Sequence, residues 1–529
     1  MKTALRPTCG PRRLLRRRHD VPAWPDFDSS TLVLIRKCNE ACSFLSLKRL
    51  VKMLTYKHNF IGGERVHPRS ETLCEVRSAH GNEPLGLVPL ASHADVDLAV
   101  AISRRAFDIG LWSHAGQVAR GAIVSRFRSL YAGVAHEIAD LVSEQNGITV
   151  HFNRFLTGGL LRECEAHLAE ASDLARHEPV AGTAGSGTLR GWHPVGVVAI
   201  IVPWNAPQQV AFSWLLPALL AGCVAILVLP PETALDGQRL GDLLEEAGLW
   251  KGVLSILVAD PAITEYLAAH RDVDTVVFAG SGAAAMRIAS ISAGPLKNVF
   301  LDIQGRSTGI VLPDADLGTT VEGLRYGSLS ANGMWKSNQT CLLTPRHRHV
   351  EFTEALVAMV SELRIGDPLD PLSFIGPSPS LAHRQVLQEF IELGLREGAS
   401  LAYGGRHVPR NDGGGNYMTP AIFAHATNEM SITRREILGP VITVLSYADI
   451  DDAIRLANDN RHRLSSCVWT SDEDLGVAVA ERINAPTVAI NGAWSEESER
   501  PRNAMRFGSA NVLGTTPLQN FLNPRTISF

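Results

Sequence analysis

The sequence has few of the features that mark secreted, membrane or nucleic-acid-binding proteins. Its eight cysteines are scattered over 529 residues without framework spacing, and no secretory signal is recognisable, so a disulfide scaffold is not expected. The formal net charge is −4 and the pI is near 6.5, which gives no reason to expect nucleic acid or an anionic membrane as a partner. No histidine or second cysteine pair follows Cys38 and Cys42 at zinc spacing, so no metal site is predicted. These absences are typical of a protein from a reducing compartment such as the cytoplasm.

One apolar run, residues 210–229, is long enough to span a membrane. Pro217 and Gly222 interrupt it, and basic anchors are missing at both ends. We therefore predict a buried helix that leads into a buried parallel strand.

The length and the apolar content of 45% predict two or three domains. Between residues 195 and 303 strand-like and helix-like segments alternate, which predicts a parallel, doubly wound α/β sheet. A second α/β region follows. The first eighteen residues are basic and contain no acidic residue, which is compatible with a transit peptide, a disordered arm or an over-extended start of the coding region. We expect residues 1–53 to lie outside the fold.

Cys341 lies in the run Gln339-Thr340-Cys341, and Arg346 follows five residues later. This pattern resembles the catalytic cysteine signature of the aldehyde dehydrogenase superfamily, whose usual form is Gly-Gln-x-Cys with arginine at that spacing. Three further segments resemble motifs of the same family, in the same order along the chain: Pro203-Trp204-Asn205-Ala206-Pro207, Phe278-Ala279-Gly280-Ser281 and Glu436-Ile437-Leu438-Gly439-Pro440. The similarity covers roughly residues 54–510.

The resemblance implies a domain plan. Residues 54–178 and 195–303 would form a Rossmann-type cofactor-binding domain, and residues 304–490 would form a second α/β catalytic domain. Residues 179–194 and 491–529 would form an oligomerisation ribbon with a C-terminal tail. A homodimer or homotetramer is expected from the same resemblance.

The resemblance also implies the chemistry. Cys341 would attack an aldehyde, Asn205 and the Cys341 backbone N–H would hold the oxyanion, and hydride transfer to NAD or NADP would leave a thioester. Asp302 stands where the family has a glutamate that activates water, so its carboxylate is one methylene shorter. The expected outcome is NAD(P)-dependent oxidation of an aldehyde to a carboxylic acid.

Six residues are expected to contact the cofactor. Gly280 and Ser281 would meet the pyrophosphate at a helix N-terminus, and Glu436 would bind the nicotinamide ribose. Leu438 replaces a phenylalanine beside the nicotinamide ring; Trp204 and Val228 complete the set. Val228 and Pro231 replace ribose-binding donors, so the sequence does not predict whether NAD or NADP is preferred.

Two departures from the family pattern keep other functions open. Residues 334–338 separate Gly333 from Gln339 and are interpreted as a five-residue insertion beside the nucleophile. The aspartate at position 302 is compatible with a coenzyme A-acylating dehydrogenase, in which a thiol releases the acyl group. The altered cofactor positions, including Ala285 in place of a glycine, are compatible with a non-catalytic member of the family.

Overall fold

The computed structural model describes residues 53–174, 177–179, 188–294, 296–303, 305–406, 415–459, 464–492 and 517–528. Almost all of the predicted N-terminal extension therefore lies outside the described residues. Residue 304 and much of the predicted C-terminal tail, residues 493–516, lie outside them as well.

A seven-stranded sheet occupies the first half of the chain. Its order is β12-β11-β8-β9-β10-β2-β3, and the five strands from β12 to β10 are parallel, which confirms the predicted doubly wound α/β class. The hairpin of β2 and β3 joins this sheet antiparallel to β10. The strands are β2 Asn59–Ile61, β3 Glu64–Val66, β8 Val197–Ile201, β9 Val224–Leu229, β10 Leu254–Val258, β11 Thr275–Gly280 and β12 Asn298–Ile303.

The apolar run 210–229 folds as the sequence predicts. Helices Pro207–Val210 and Leu216–Ala221 flank a π-helical segment, Ala211–Leu215, and Gly222 ends the helical stretch at φ 96°. Every residue of β9 is then buried, because helices cover both faces of a parallel sheet. Among the described residues, no helix is both long and apolar enough to cross a membrane.

A second seven-stranded sheet has the order β15-β16-β17-β14-β13-β18-β19. Strand β14 lies in its middle, parallel to both neighbours, and all seven of its residues are buried. The strands are β13 Ser307–Val311, β14 Gln339–Pro345, β15 Ser400–Gly404, β16 Ala421–Ala424, β17 Val441–Tyr447, β18 Ser465–Trp469 and β19 Thr487–Ile490.

Two three-stranded sheets complete the described strands. One pairs β1 Leu54–Thr55 with β5 Pro84–Pro89 and β4 Leu73–Arg77. The other pairs β20 Leu522–Ser528 with β7 Thr188–Pro194 and β6 His177–Pro179, so the C-terminal segment returns to the region predicted as a ribbon. The domain boundaries themselves stay a prediction.

Long helices flank the first sheet. His93–Ile109 begins with a capping box at Ser92, and Gln117–Asn146 ends at Gly147, where φ is 77°. The remaining α-helices are Leu111–His114, Val150–Asp173, Leu235–Glu246, Pro261–Ala269, Gly282–Ala293, Leu317–Leu329, His349–Ser361, Leu381–Arg396, Ser431–Arg434, Ile450–Asp459 and Glu473–Ala480.

Candidate active site

A cleft of about 350 Å³ lies between the two large sheets. Its walls come from the loop after β8, the end of β11, strand β12 and the turn before β14. Carboxyl ends of neighbouring parallel strands are where α/β proteins collect ligand-binding groups. The lining residues are Pro203, Asn205, Ala206, Gln209, Val210, Ala279, Gly280, Asp302, Trp335 and Lys336.

The central polar contact of the cleft joins Lys336 to Asp302. The ammonium Nζ of Lys336 lies 2.6 Å from the carboxylate Oδ1 of Asp302, and the two side chains are 40% and 19% exposed. Asn205 is buried on the same wall, and its amide Nδ2 donates a 2.8 Å hydrogen bond to the carbonyl of Met334. The structure thus brings two predicted residues, Asn205 and Asp302, together with a lysine that was not predicted.

The turn that presents Lys336 has an unusual backbone. Ala331, Asn332 and Gly333 are consecutive residues in the left-handed region, with φ of 52°, 57° and 73°. Asn332 anchors the turn, since its Oδ1 accepts from the Gly376 N–H at 2.9 Å and its Nδ2 donates to the Gly147 carbonyl at 2.7 Å. Only glycine fits at position 333, because an added Cβ would lie 2.4 Å from a backbone oxygen. This backbone fixes the position of residue 336.

Cys341 lies elsewhere, so the structure does not bring this predicted nucleophile into the cleft. It is the third residue of β14, is 4% exposed, and packs in a core cluster with Ile310 and Leu343. It does not line the cleft. A central strand buried on both faces directs its side chains into the core, away from the end of the sheet where the cleft lies.

The environment of the Cys341 thiol also opposes reactivity. Burial raises the pKa of Cys341, although the Arg306 guanidinium and a hydrogen bond with Thr443 act in the opposite direction. Arg306 is itself buried and is held by the Thr340 carbonyl at 3.3 Å and the Thr443 hydroxyl at 2.5 Å. A thiol kept protonated in a closed core is a packing group, since the thiolate is the nucleophilic form.

The predicted cofactor residues lie at one edge of the cleft. Gly280 ends β11, and Ser281 caps helix Gly282–Ala293 by accepting from the Ala284 N–H at 3.4 Å. Both carboxylate oxygens of Glu436 lie 3.3 Å from the Gly282 nitrogen, which connects the second sheet's side of the cleft to the start of this helix. Burial raises the pKa of Glu436. Three of the predicted cofactor positions thus meet at one helix N-terminus.

Trp204 and Leu438 pack together against a small apolar cluster formed by Ile148, Phe152, Ala331 and Met334. The Trp204 ring also meets the His383 ring edge to face, with centroids 4.9 Å apart. Burial lowers the pKa of His383 to about 4, so this imidazole is neutral at pH 7. An apolar wall of this kind suits a planar ring of a ligand.

Val228 does not contribute a polar group to the cleft. It is 2% exposed at the end of β9 and packs in the core of the first sheet. Among the described residues, no cluster of three or more potential metal ligands is present.

Comparison with known proteins identifies the fold. The model of the aldehyde dehydrogenase family matches residues 66–508. The chain belongs to the aldehyde dehydrogenase family. Its relatives are named aldehyde dehydrogenases, which supports an NAD(P)-dependent activity on aldehydes (EC 1.2.1 type).

Individual relatives cover almost the whole described chain. A geranial dehydrogenase of Castellaniella defragrans is 34% identical over 440 residues, which cover 83% of this chain and 91% of that protein. A betaine aldehyde dehydrogenase of Rhizobium leguminosarum is 32% identical and covers 89% and 96%. A Mycobacterium tuberculosis aldehyde dehydrogenase, solved as a complex with NAD+, superposes with a TM-score of 0.84 at 30% identity, covering 90% and 98%.

Family membership and the geometry together revise the motif. In the family pattern Gly-Gln-x-Cys, glycine precedes the cysteine by three residues and arginine follows it by five. Gly333-Met334-Trp335-Lys336 fits this spacing without an insertion, and Cys341 then stands at the arginine position. The aldehyde dehydrogenase nucleophile position is thus occupied by Lys336, which is the residue that lies in the cleft beside Asp302. In this register residues 334–338 are part of the motif and are not an insertion beside it.

Lys336 was missed because Gln339-Thr340-Cys341 resembles part of the motif by itself. Gly333 was the signal that could have found it. The backbone at position 333 has φ 73° and lies against a neighbouring backbone, so it requires glycine. The spacing of the motif is therefore counted from Gly333.

Proposed function

We propose that the cleft oxidises an aldehyde to a carboxylic acid with NAD or NADP. One observation carries the proposal: Gly280, from the predicted cofactor turn, lines the same cleft as Asn205 and Asp302. A cofactor bound at the turn would therefore lie next to the groups suited to activate a carbonyl and a water molecule. NAD complexes among the related structures support the choice of cofactor.

The residues present fit a dinucleotide at the start of helix Gly282–Ala293. The turn before it carries Gly280 and the Ser281 hydroxyl, and the N-terminus of a twelve-residue helix favours a phosphate group. Glu436, beside the Gly282 nitrogen, would accept hydrogen bonds from a ribose. Trp204 and Leu438 would form an apolar wall beside the cofactor. Bound NAD(P) supplies a hydride acceptor. Val228 offers no ribose donor, so the proposal does not distinguish NAD from NADP.

The protein's own groups suggest a route in which water is the nucleophile. Asp302 takes a proton from water while the water oxygen bonds to the carbonyl carbon. The carbonyl electron pair moves to oxygen, where the Lys336 ammonium and the Asn205 amide face the developing charge. The carbon then loses a hydride and the acid forms, so each turnover consumes one aldehyde, one water and one oxidised cofactor. This route replaces the Cys341 thioester of the sequence-based hypothesis.

An adjoining cavity supports an apolar aldehyde as the substrate. It shares Asn205, Ala206 and Gln209 with the cleft. Most of its other lining side chains are apolar: Tyr131, Ile138, Ala139, Val142, Leu156 and Leu160. One relative is named geranial dehydrogenase, and this name points to the same class of substrate. We therefore propose that hydrocarbon aldehydes bind with the carbonyl at Asn205 and the chain in this cavity.

A second candidate function is aldehyde binding without oxidation. The observation that favours it is the lysine at the nucleophile position, because a thiolate adds to carbonyls and later leaves, whereas an ammonium does neither. Coenzyme A-dependent acylation has lost its support, since it needs a thioester and Cys341 is in the core.

The two candidates are separated by following reduced nicotinamide by absorbance with a series of straight-chain aldehydes and either cofactor. Oxidation predicts turnover, and Asp302→Asn should lower it by about 10² to 10⁴ because the base is removed. Asp108→Asn, which changes an exposed helix carboxylate, is the matched control. Absence of reduced cofactor with every aldehyde, in a protein that still melts cooperatively, would favour binding alone.

We also propose a homodimer or homotetramer that assembles through the β20-β7-β6 sheet, and a cytoplasmic location. The exposed strand β20 supports the first, because its edge can pair with another copy. Free cysteines at positions 74, 164, 223, 341 and 467 are compatible with a reducing compartment. Light scattering of the full chain and of a chain ending before Leu522 tests the assembly.

A further inference from the structure

We propose that Lys336 captures aldehydes reversibly as an imine, which makes the cleft a covalent carbonyl-binding site. The inference rests on the proposed function only in that the cleft admits an aldehyde. It does not need NAD(P) or hydride transfer.

Position is the first argument. Lys336 lies where the family carries its covalent nucleophile, on a turn whose backbone is fixed by Asn332 and Gly333. A carbonyl held for attack by a residue at this position therefore lies within reach of the lysine nitrogen. Bringing two reacting groups together in this way replaces a bimolecular encounter by a local one.

Partners are the second argument. Asp302 lies 2.6 Å from the lysine Nζ, a distance that allows direct proton transfer. Among the described residues that line the cleft, Asp302 and Lys336 are the two with charged side chains. The other lining side chains are uncharged, and Pro203, Val210 and Ala279 are apolar, so no other charged side chain among these lining residues competes for either partner.

The chemistry balances within these groups. The Lys336 ammonium first passes one proton to Asp302, which leaves a free amine and a carboxylic acid. The amine then adds to the carbonyl carbon, and the proton that the nitrogen sheds passes to the oxygen, giving a carbinolamine. Asp302 in its acid form then protonates the hydroxyl, which leaves as water while the nitrogen pair forms the C=N bond and the nitrogen proton returns to Asp302. One aldehyde and one amine give one imine and one water, with no change of oxidation state.

Two protonation states of one side chain thus have two outcomes. As an ammonium, Lys336 faces the carbonyl oxygen and assists attack by water; as an amine, it attacks the carbon itself. Imine capture should therefore compete with oxidation for the same aldehyde.

Reductive trapping tests the proposal without a cofactor. The full chain is incubated with hexanal or benzaldehyde and sodium cyanoborohydride, digested, and analysed by peptide mass spectrometry. Arginine does not form a stable secondary amine under these conditions, and lysine occurs at only eight positions of the sequence, so few sites compete. We expect the Lys336 peptide to be alkylated about tenfold or more faster than exposed Lys57, because the cleft concentrates the aldehyde.

Three variants test whether labelling depends on the position of Lys336 in the cleft or only on the reactivity of a lysine side chain. Lys336→Arg keeps the charge that pairs with Asp302 but should abolish labelling of the cleft peptide, while Lys57→Arg should leave labelling at Lys336 unchanged. Asp302→Asn should slow trapping at Lys336 and not at Lys57, because it removes the proton carrier. Fold retention in each variant is followed by thermal melting.

Labelling of Lys336 no faster than that of Lys57 in the folded protein would overturn the proposal, whatever the oxidation assay shows. Strong labelling without reduced cofactor would support it and refute oxidation. Reduced cofactor without preferential labelling would leave oxidation standing and remove the imine.

Discussion

Replacing Cys341 by alanine tests whether this residue contributes to the core or to the chemistry of the cleft. The thiol is 4% exposed in the middle of β14, and its polar contacts are with Arg306 and Thr443. Alanine removes one buried sulfur atom and leaves a small cavity, which should lower the free energy of unfolding by about 1 to 2 kcal/mol. The melting temperature should fall by a few degrees at most.

The same substitution should leave catalysis almost unchanged, with kcat/KM for an apolar aldehyde within about twofold of the wild type. Removal of a true nucleophile would instead cost on the order of 10⁴ to 10⁶. These outcomes are far enough apart for a simple absorbance assay of reduced nicotinamide.

Cys467→Ala is the matched control. Cys467 is a buried cysteine of the same sheet, on β18, where burial raises its pKa to about 12. The two variants should therefore show similar losses of stability and similar activity. If Cys341→Ala keeps its fold but loses all activity while Cys467→Ala does not, the assignment of Cys341 to the core is refuted.

Three further predictions follow from positions around the cleft and the core. Lys336→Cys should increase aldehyde oxidation and make it sensitive to iodoacetamide, because it places a thiol beside Asp302; unchanged activity in a folded variant would contradict the assigned motif register. Burial raises the pKa of Asp236 from 3.8 to about 6, so the native state gains stability as the pH falls from 6 to 4 and loses it as the pH rises through that window. The free energy of unfolding of Asp236→Asn relative to wild type should therefore rise by about 2 kcal/mol between pH 4 and pH 6 and level off above about pH 7, which urea titrations at several pH values would check. Gly333→Ala should lower the free energy of unfolding by more than about 2 kcal/mol, because φ is 73° and the new Cβ meets a backbone oxygen. Gly398→Ala, at φ 92° with open space around it, should lower it by only about 1 kcal/mol. Equal losses in the two variants would show that the contact with the backbone oxygen does not matter.

The order of strand-like segments, helix-like segments and motifs along the sequence was enough to predict most of the fold. The alternation of strands and helices between residues 195 and 303 predicts the parallel sheet, because each segment's periodicity reflects its own burial. The Gly222 break in the apolar run 210–229 predicts where the helix gives way to β9. Motif order along the chain likewise led to the family.

Residue-level chemistry was harder to predict. Asn205 and Asp302 were found because each lies in a motif without gaps, and both line the cleft. The nucleophile position was assigned five residues too late, since a cysteine after Gln339-Thr340 is indistinguishable by type from the family's cysteine. Burial separates the two: position 341 is inside a strand, whereas position 336 is on a turn. No local pattern reports that difference.

The left-handed turn of Ala331, Asn332 and Gly333 has an evolutionary consequence. Its shape depends on backbone conformation and on the Asn332 side chain, and residue 336 takes no part in holding it. Because the Lys336 side chain is 40% exposed, a different residue there disturbs little packing. A substitution at position 336 can therefore change the chemistry of the cleft while the turn and the fold are kept.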